Sequence, residues 1–371
     1  MSSVKPNINK CLLCSGHASP LFRSDIDVAV TSDCHPVQGR IEIFQCENCR
    51  VIQKNPDDLY LSTLQRIYKD YRIYEVSGGH EQVKFTDGVP RARSEIILDN
   101  IDGLIPPTGD FLDVGTGSGV FLRAVSKRFG PHVALHAQDI HDNERGALLQ
   151  IPCFKQFHYG DIRNIREQFD VISLIHVFEH ILDPIELLQS IKERLKAQGV
   201  VIFQVPNIEQ TAFDAVIYDH VFHYSRQTLL GVVGRVFRYC CIPPKQINNE
   251  ITLVASDSPE RFPHVQSSHA SGEVNLNVVK VVTNYLRQVK EKIAVFGVSP
   301  PGTYCGAVLG DKLACFVDED KNIQYKTHLN HVIVPPEDIK DGLKVFLPPN
   351  RNASLIRSRL SNLLFIEVEK L

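Results

Sequence analysis

Apolar runs of strand length alternate with stretches of helical period from about residue 109 onward. Residues 111–114, 133–138, 169–174 and 200–205 read as buried strands, and residues 120–129 as the first intervening helix. A second helix opens with Asp183 as N-cap, Pro184 at its first position and Glu186 at its third. Its apolar stripe is Ile185, Leu188, Ile191 and Leu195, and Gly199 is expected to stop it. Residues 239–241 and 251–255 supply two last strands, both expected antiparallel. Strands alternating with helices predict a parallel sheet covered on both faces.

The pattern changes at either end. Before residue 60 only a short alternating run, Arg40-Ile-Glu-Ile-Phe-Gln, reads as a strand. It leads into the second of two cysteine pairs, Cys11-Leu-Leu-Cys14 and Cys46-Glu-Asn-Cys49. Each pair can turn two thiolates toward one ion, and two pairs complete the tetrahedron that zinc prefers. The intervening stretch, 46 − 14 − 1 = 31 residues, must loop out and return. A connector with Tyr60, Tyr68, Tyr71 and Tyr74 follows, then a helical stretch over residues 92–101. Past residue 256 a polar segment reaches Gly272 and reads as a linker. Beyond it come a helix over 274–290, a strand at 293–297, a helix at 302–309, a strand at 313–317, and two strand ends at Val332-Ile-Val-Pro-Pro and Val345-Phe-Leu-Pro-Pro. The expected organisation is therefore a zinc module and connector over 1–75, an α/β core over 76–256, and a small second α/β domain over 273–371.

Composition narrows the chemistry. The chain has 371 residues, more than one typical core holds. Its formal net charge is −3 with no basic block, which argues against a charge-driven grip on nucleic acid. No apolar run approaches the roughly 20 residues that span a bilayer, and Met1-Ser-Ser-Val-Lys-Pro-Asn lacks the apolar core of a signal peptide. Ten cysteines without export signals, four of them in metal spacing, suit a reducing cytoplasm.

The candidate chemistry begins at Asp113-Val-Gly115-Thr-Gly117-Ser-Gly119, on a strand-to-helix turn. Its glycines let backbone approach a ligand closely. The spacing is Gly-x-Gly-x-Gly, unlike the Gly-x-Gly-x-x-Gly of dinucleotide sites. Asp139 ends the next strand, 139 − 115 = 24 positions on, where a carboxylate can hold a ribose diol. With Asp161 in Tyr-Gly-Asp-Ile and the segment Phe169-Asp-Val-Ile-Ser-Leu-Ile-His-Val-Phe-Glu-His-Ile, these residues resemble the class I S-adenosylmethionine-dependent methyltransferases. The resemblance implies a Rossmann-like core with Asp113, Gly115, Gly117, Gly119, Asp139, Asp161 and His176 around the cofactor.

Two histidine-rich segments follow, Glu179-His180-Ile-Leu-Asp-Pro and Tyr218-Asp219-His220-Val-Phe-His223-Tyr224. A Cys₄ module, a methyltransferase-like core, these segments and a C-terminal α/β domain together are similar to the deoxysugar C-methyltransferases. The resemblance covers nearly the whole chain. It implies a small-molecule substrate, a sugar or a related natural-product or cell-envelope precursor. His220 would be the general base, with Tyr218 and His180 positioning the sugar and Tyr74 folding over the pocket. Zinc would be structural. Histidine suits proton abstraction near neutral pH. The family has Glu where this chain has Asp219, and a Lys-Gly pair where this chain reads Pro301-Gly302. The same residues also suit O- or N-methylation, and a non-catalytic cofactor-binding scaffold is a further alternative. The oligomeric state is left open.

Overall fold

The computed structural model describes residues 9–71, 81, 83–86, 89–260, 274–350 and 352–366. The central sheet has seven strands, β1 (Gly109–Val114), β2 (Val133–Asp139), β3 (Phe154–Tyr159), β4 (Phe169–Ile175), β5 (Leu195–Pro206), β6 (Tyr239–Cys241) and β7 (Glu250–Ser256). Their spatial order is β3-β2-β1-β4-β5-β7-β6. Strands β1 to β5 are parallel to one another, and β7 is inserted antiparallel between β5 and β6. The two closing strands are paired antiparallel as expected, β7 to β5 and β6 to β7, so β6 itself runs with the main sheet.

The helices follow their patterns. Val120–Phe129 buries Phe121, Leu122 and Val125 against the sheet. Pro184–Glu193 starts at Asp183, whose side chain accepts the Glu186 N–H at 3.0 Å. Gly199 does not end this helix. The helix stops at Glu193, and Gly199 lies inside β5, where the pairing with β4 shifts register between Leu195 and Val200. A Cβ at Gly199 would sit 3.0 Å from two backbone carbonyl oxygens, so a glycine is what this irregularity accepts.

The N-terminal module is an antiparallel sheet whose strands Ala18–Arg23 and Glu42–Cys46 pair so that Ala18 faces Cys46. This hairpin returns the long inter-cysteine stretch to its starting point. The fourth strand of that sheet, Phe222–His223, comes from the far side of the core and pairs with Ile52–Gln53. Helix Asp58–Asp70 follows, capped by Asp57 on the Tyr60 N–H at 2.7 Å.

The C-terminal unit is a six-stranded sheet with Ile293–Phe296 and Leu313–Val317 near its middle, Lys344–Phe346 on the other side of Ile293–Phe296, and helix Pro300–Leu309 packed on it. Within it, Gly302 crosses the preceding loop so closely that a Cβ would meet the Gly297 carbonyl oxygen at 1.9 Å. One buried apolar cluster runs from Cys11 and Ile43 through Phe178 and Phe203 to Tyr304 and Phe316, so the three sequence units share a core. Among the described residues no helix is long and apolar enough to cross a membrane. Most of the expected linker, residues 261–273, lies outside the described residues.

Candidate active site

Both α/β sheets reverse direction of growth beside their first strand. In the central sheet this happens between β1 and β4, and in the C-terminal sheet between Ile293–Phe296 and Lys344–Phe346. Ligands of open α/β sheets bind where the order reverses, beyond the carboxyl ends of the strands. A cavity of about 450 Å³ lies beyond the ends of β4, β5 and the C-terminal strand Ile293–Phe296. The core contributes His176, Glu179, His180, Asp214, His220 and Glu250 to its walls. The C-terminal unit contributes the loops at 296–301 and 347–350, and the N-terminal module adds Ser32, Asp33 and Cys34.

The glycine turn lies at the β1 end. Gly115, Gly117 and Gly119 all have left-handed φ, +65°, +51° and +76°. A Cβ on Gly115 would come within 2.5 Å of Val177 Cγ2, so the turn is closed to larger residues on steric and conformational grounds alike. Asp139 Oδ2 accepts the Gly117 N–H at 2.9 Å and Oδ1 accepts the His141 N–H at 3.0 Å. Each oxygen keeps a second lone pair, enough for a ribose diol. Ser118 Oγ on the same turn is buried without a hydrogen-bond partner among the described residues. These features fit an adenosine-bearing cofactor. Asp113 is buried beneath the turn, receives the Ser173 hydroxyl at 2.5 Å, and is pushed up to about 7 by burial. Asp161 stands at the end of β3, where it caps a short helix and pairs with Arg163. That pairing holds its carboxyl below the usual range.

His176 follows β4 with φ +56° and joins the two sides. Its Nδ1 is 3.2 Å from Glu179 and its Nε2 3.2 Å from Glu250. Glu250 also meets Lys84 at 3.0 Å, Arg93 at 3.3 Å and the Gln204 amide at 2.7 Å. Burial alone would push Glu250 up, but Arg93, Lys84 and His176 hold it well below the usual range.

On the substrate side, His220 is buried with Nδ1 2.7 Å from Asp214. Burial pulls its ring down, yet the Asp214 carboxylate outweighs burial and raises it above the ordinary histidine value. Its free coordination position is Nε2. His180 meets His220 edge-on at 4.8 Å between ring centres. His180 Nδ1 donates to the Asp219 carbonyl at 3.0 Å with Tyr68 Oη 3.1 Å away, and burial lowers it. Tyr218 does not line this cavity. Its ring packs on Tyr60 at 5.1 Å and lies against Gly39 of the N-terminal module. Tyr74 lies outside the described residues.

The N-terminal module holds the segment that carries His220. The Tyr218 N–H donates to Val30 O at 2.6 Å, and the Lys54 N–H to Val221 O at 2.8 Å. The Lys54 ammonium donates to the carbonyls of Ile217 and Tyr218. Ser32 donates its N–H at 2.8 Å and its hydroxyl at 2.5 Å to the two oxygens of Asp219. The shorter acid at this position is thus matched by a serine brought to it by the inter-cysteine excursion.

Cys11, Cys14, Cys46 and Cys49 converge at the base of that module. Sulfur–sulfur distances are 3.5 Å for Cys11–Cys49, 3.5 Å for Cys14–Cys46 and 3.7 Å for Cys14–Cys49. A tetrahedral zinc with Zn–S near 2.3 Å has edges of about 3.8 Å, so the four thiols fit that ion.

The sequence reading missed Asp214, Lys54, Ser32 and Glu250. Asp214 had a signal, since it is an acid within the apolar segment Ala212–Val216 just before two histidines. Ser32 had none, because its role depends on a contact 187 residues away.

Comparison with known proteins agrees with this fold. A family profile described as "Methyltransferase domain" matches residues 89–236. The ubiquinone biosynthesis O-methyltransferase of Histophilus somni is 30% identical over 116 residues, 29% of this chain and 48% of that protein. Its namesake from Actinobacillus pleuropneumoniae serotype 7 is 30% identical over 115 residues, 29% of this chain and 49% of that protein. The chain thus spans about half the length of the curated relatives it matches. Among solved structures, the plantazolicin methyltransferase BpumL bound to SAH aligns with TM-score 0.41 and 12% identity, covering 54% of this chain and 96% of that one. Residues 89–236 are thus similar to a methyltransferase domain.

Proposed function

We propose that the protein transfers a methyl group from S-adenosylmethionine to a carbon beside a ketone on a sugar-like small molecule. The observation that carries this reading is the buried His220–Asp214 pair, which lines a cavity walled by the core and the C-terminal unit. Bound at the glycine turn and Asp139, the cofactor supplies an activated methyl on sulfonium. His220 Nε2 takes the proton of the acidic C–H, and the carbon's electron pair is then free for the methyl. His180, neutral by virtue of its lowered proton affinity and with its Nδ1 proton given to the Asp219 carbonyl, offers its Nε2 lone pair to a substrate hydroxyl and so orients the substrate. The cysteine cluster holds a structural zinc that fixes the module behind His220.

The names of the curated relatives favour a second reading, O-methylation, with His220 deprotonating a hydroxyl. Incubating keto sugars with the protein in deuterated water, without cofactor, separates the two. C-methylation requires exchange at the carbon next to the ketone. Methylation on oxygen without such exchange sinks the carbon reading.

A further inference from the structure

Two imidazoles share one carboxylate beside the cavity. Asp214 Oδ1 lies 2.7 Å from His220 Nδ1, and Oδ2 lies 2.6 Å from His223 Nδ1. An ionised carboxylate only accepts, so each ring donates from Nδ1 and, when neutral, keeps its lone pair on Nε2. The two Nε2 atoms have different surroundings. His220 lines the cavity. His223 is fully buried in the strand that pairs with Ile52–Gln53, and its Nε2 has no hydrogen-bond partner among the described residues. A proton there would create a buried N–H without an acceptor, which is unfavourable, and more so when the ring is charged.

The neighbouring charges act in the same direction. His220 faces Asp214, Glu179, Asp219 and the edge of His180. His223 faces Asp214, His220 and the buried Lys54 amine, whose own proton affinity burial pulls down to about 7. A proton arriving at the pair therefore resides on His220, and His223 stays neutral as a fixed donor.

We propose that His223 is a positioning residue that acts through Asp214. By occupying one carboxylate oxygen it fixes the carboxylate's orientation and weakens the pull of Asp214 on the proton that His220 accepts. This rests on the assignment of His220 as base. Without the second imidazole, more of the acceptor strength of Asp214 would bear on His220 and raise its proton affinity further. A general base works best with an affinity matched to the working pH. Burial holding His223 below the ordinary histidine value agrees with its role as the neutral partner.

The test is a histidine NMR titration of the full-length, zinc-loaded protein, with the His220 signal assigned by its loss in His220→Gln. In the wild type, His223 should remain a neutral Nδ1–H tautomer from pH 5 to pH 9 while His220 titrates; a His223 that titrates in this window overturns the proposal. His223→Phe should raise the His220 midpoint by about half a pH unit, roughly threefold tighter proton binding. His223→Asn, which offers an amide donor near the place of Nδ1, should bring it most of the way back. An unchanged or lowered midpoint in folded His223→Phe also overturns it, and the wild-type measurement decides alone should that variant not fold. If the midpoints move as expected while His220→Ala turns over at the wild-type rate, the base assignment fails and the influence of His223 on His220 stands.

Discussion

The two sides of the site are assembled in different ways. The cofactor side is made of adjacent strands of one sheet, with Gly115–Gly119 following β1 and Asp139 ending β2 next to it. The substrate side draws on three units. His220 sits in a core segment held by backbone of the N-terminal module and faces a crevice formed by the C-terminal sheet. Local geometry suffices for the first, whereas the second exists only once distant parts of the chain have packed together.

This contrast predicts which observable each change will move. The largest effect is expected from His220→Ala, which should lower turnover by about 10²–10⁴-fold while affinity for S-adenosylhomocysteine stays within about twofold. Equal losses in both would show that the two sides are not separable. Removing zinc with a chelator, or Cys46→Ser, should come next. Hydrogen exchange should rise at residues 217–223 and turnover fall, while the amides of β1 and β2 keep their protection. Metal analysis should find one zinc per chain, and a metal-free protein that is folded and fully active would refute the structural role.

Gly115→Ala is the converse experiment. Its Cβ would press on Val177 at 2.5 Å in a left-handed backbone, and that conformation alone costs about 1–2 kcal/mol. Cofactor affinity should fall by about tenfold or more in calorimetry, with the His220 titration unchanged. Asp214→Asn should move the acid limb of the pH–rate profile to lower pH. Asp214 raises His220, so without that charge the ring stays neutral, and competent as a base, further into acid. A limb displaced upward would contradict the pairing. The smallest effect belongs to Ser32→Ala. It removes one hydrogen bond to Asp219 but leaves the Ser32 N–H in place. A few-fold loss in turnover without change in cofactor affinity is expected, and steady-state kinetics would detect it.

The same division governed what could be read from the sequence. The glycine turn, Asp139 and the strand–helix alternation are local patterns, and the helix Val120–Phe129 and strand Leu313–Val317 fall where the pattern puts them. Gly199 misled because a glycine after an apolar stripe is a common helix stop, whereas here it relieves crowding inside β5. The spatial order of the two closing strands was not legible because it depends on β7 entering the sheet between β5 and β6. Tyr218 stands in the expected motif, yet its side chain turns to Tyr60 while its backbone anchors the Lys54 ammonium. A motif places a residue in the chain. Which way its side chain points was set by Gly39 and Tyr60, neither of which the motif contains.

The N-terminal module also has a history in time. The strand Phe222–His223 that completes its sheet is made far later than the rest of the module, as the separation of 187 residues between Ser32 and Asp219 indicates. At 5–20 residues per second the wait is about 10–40 s. Throughout it the Ile52–Gln53 strand presents an open edge, the kind of surface that recruits other chains. Lys54, buried in the finished fold, then borders that edge as an exposed charge. The residue that later grips the His220 segment is thus suited to guard the young chain against aggregation until that segment arrives.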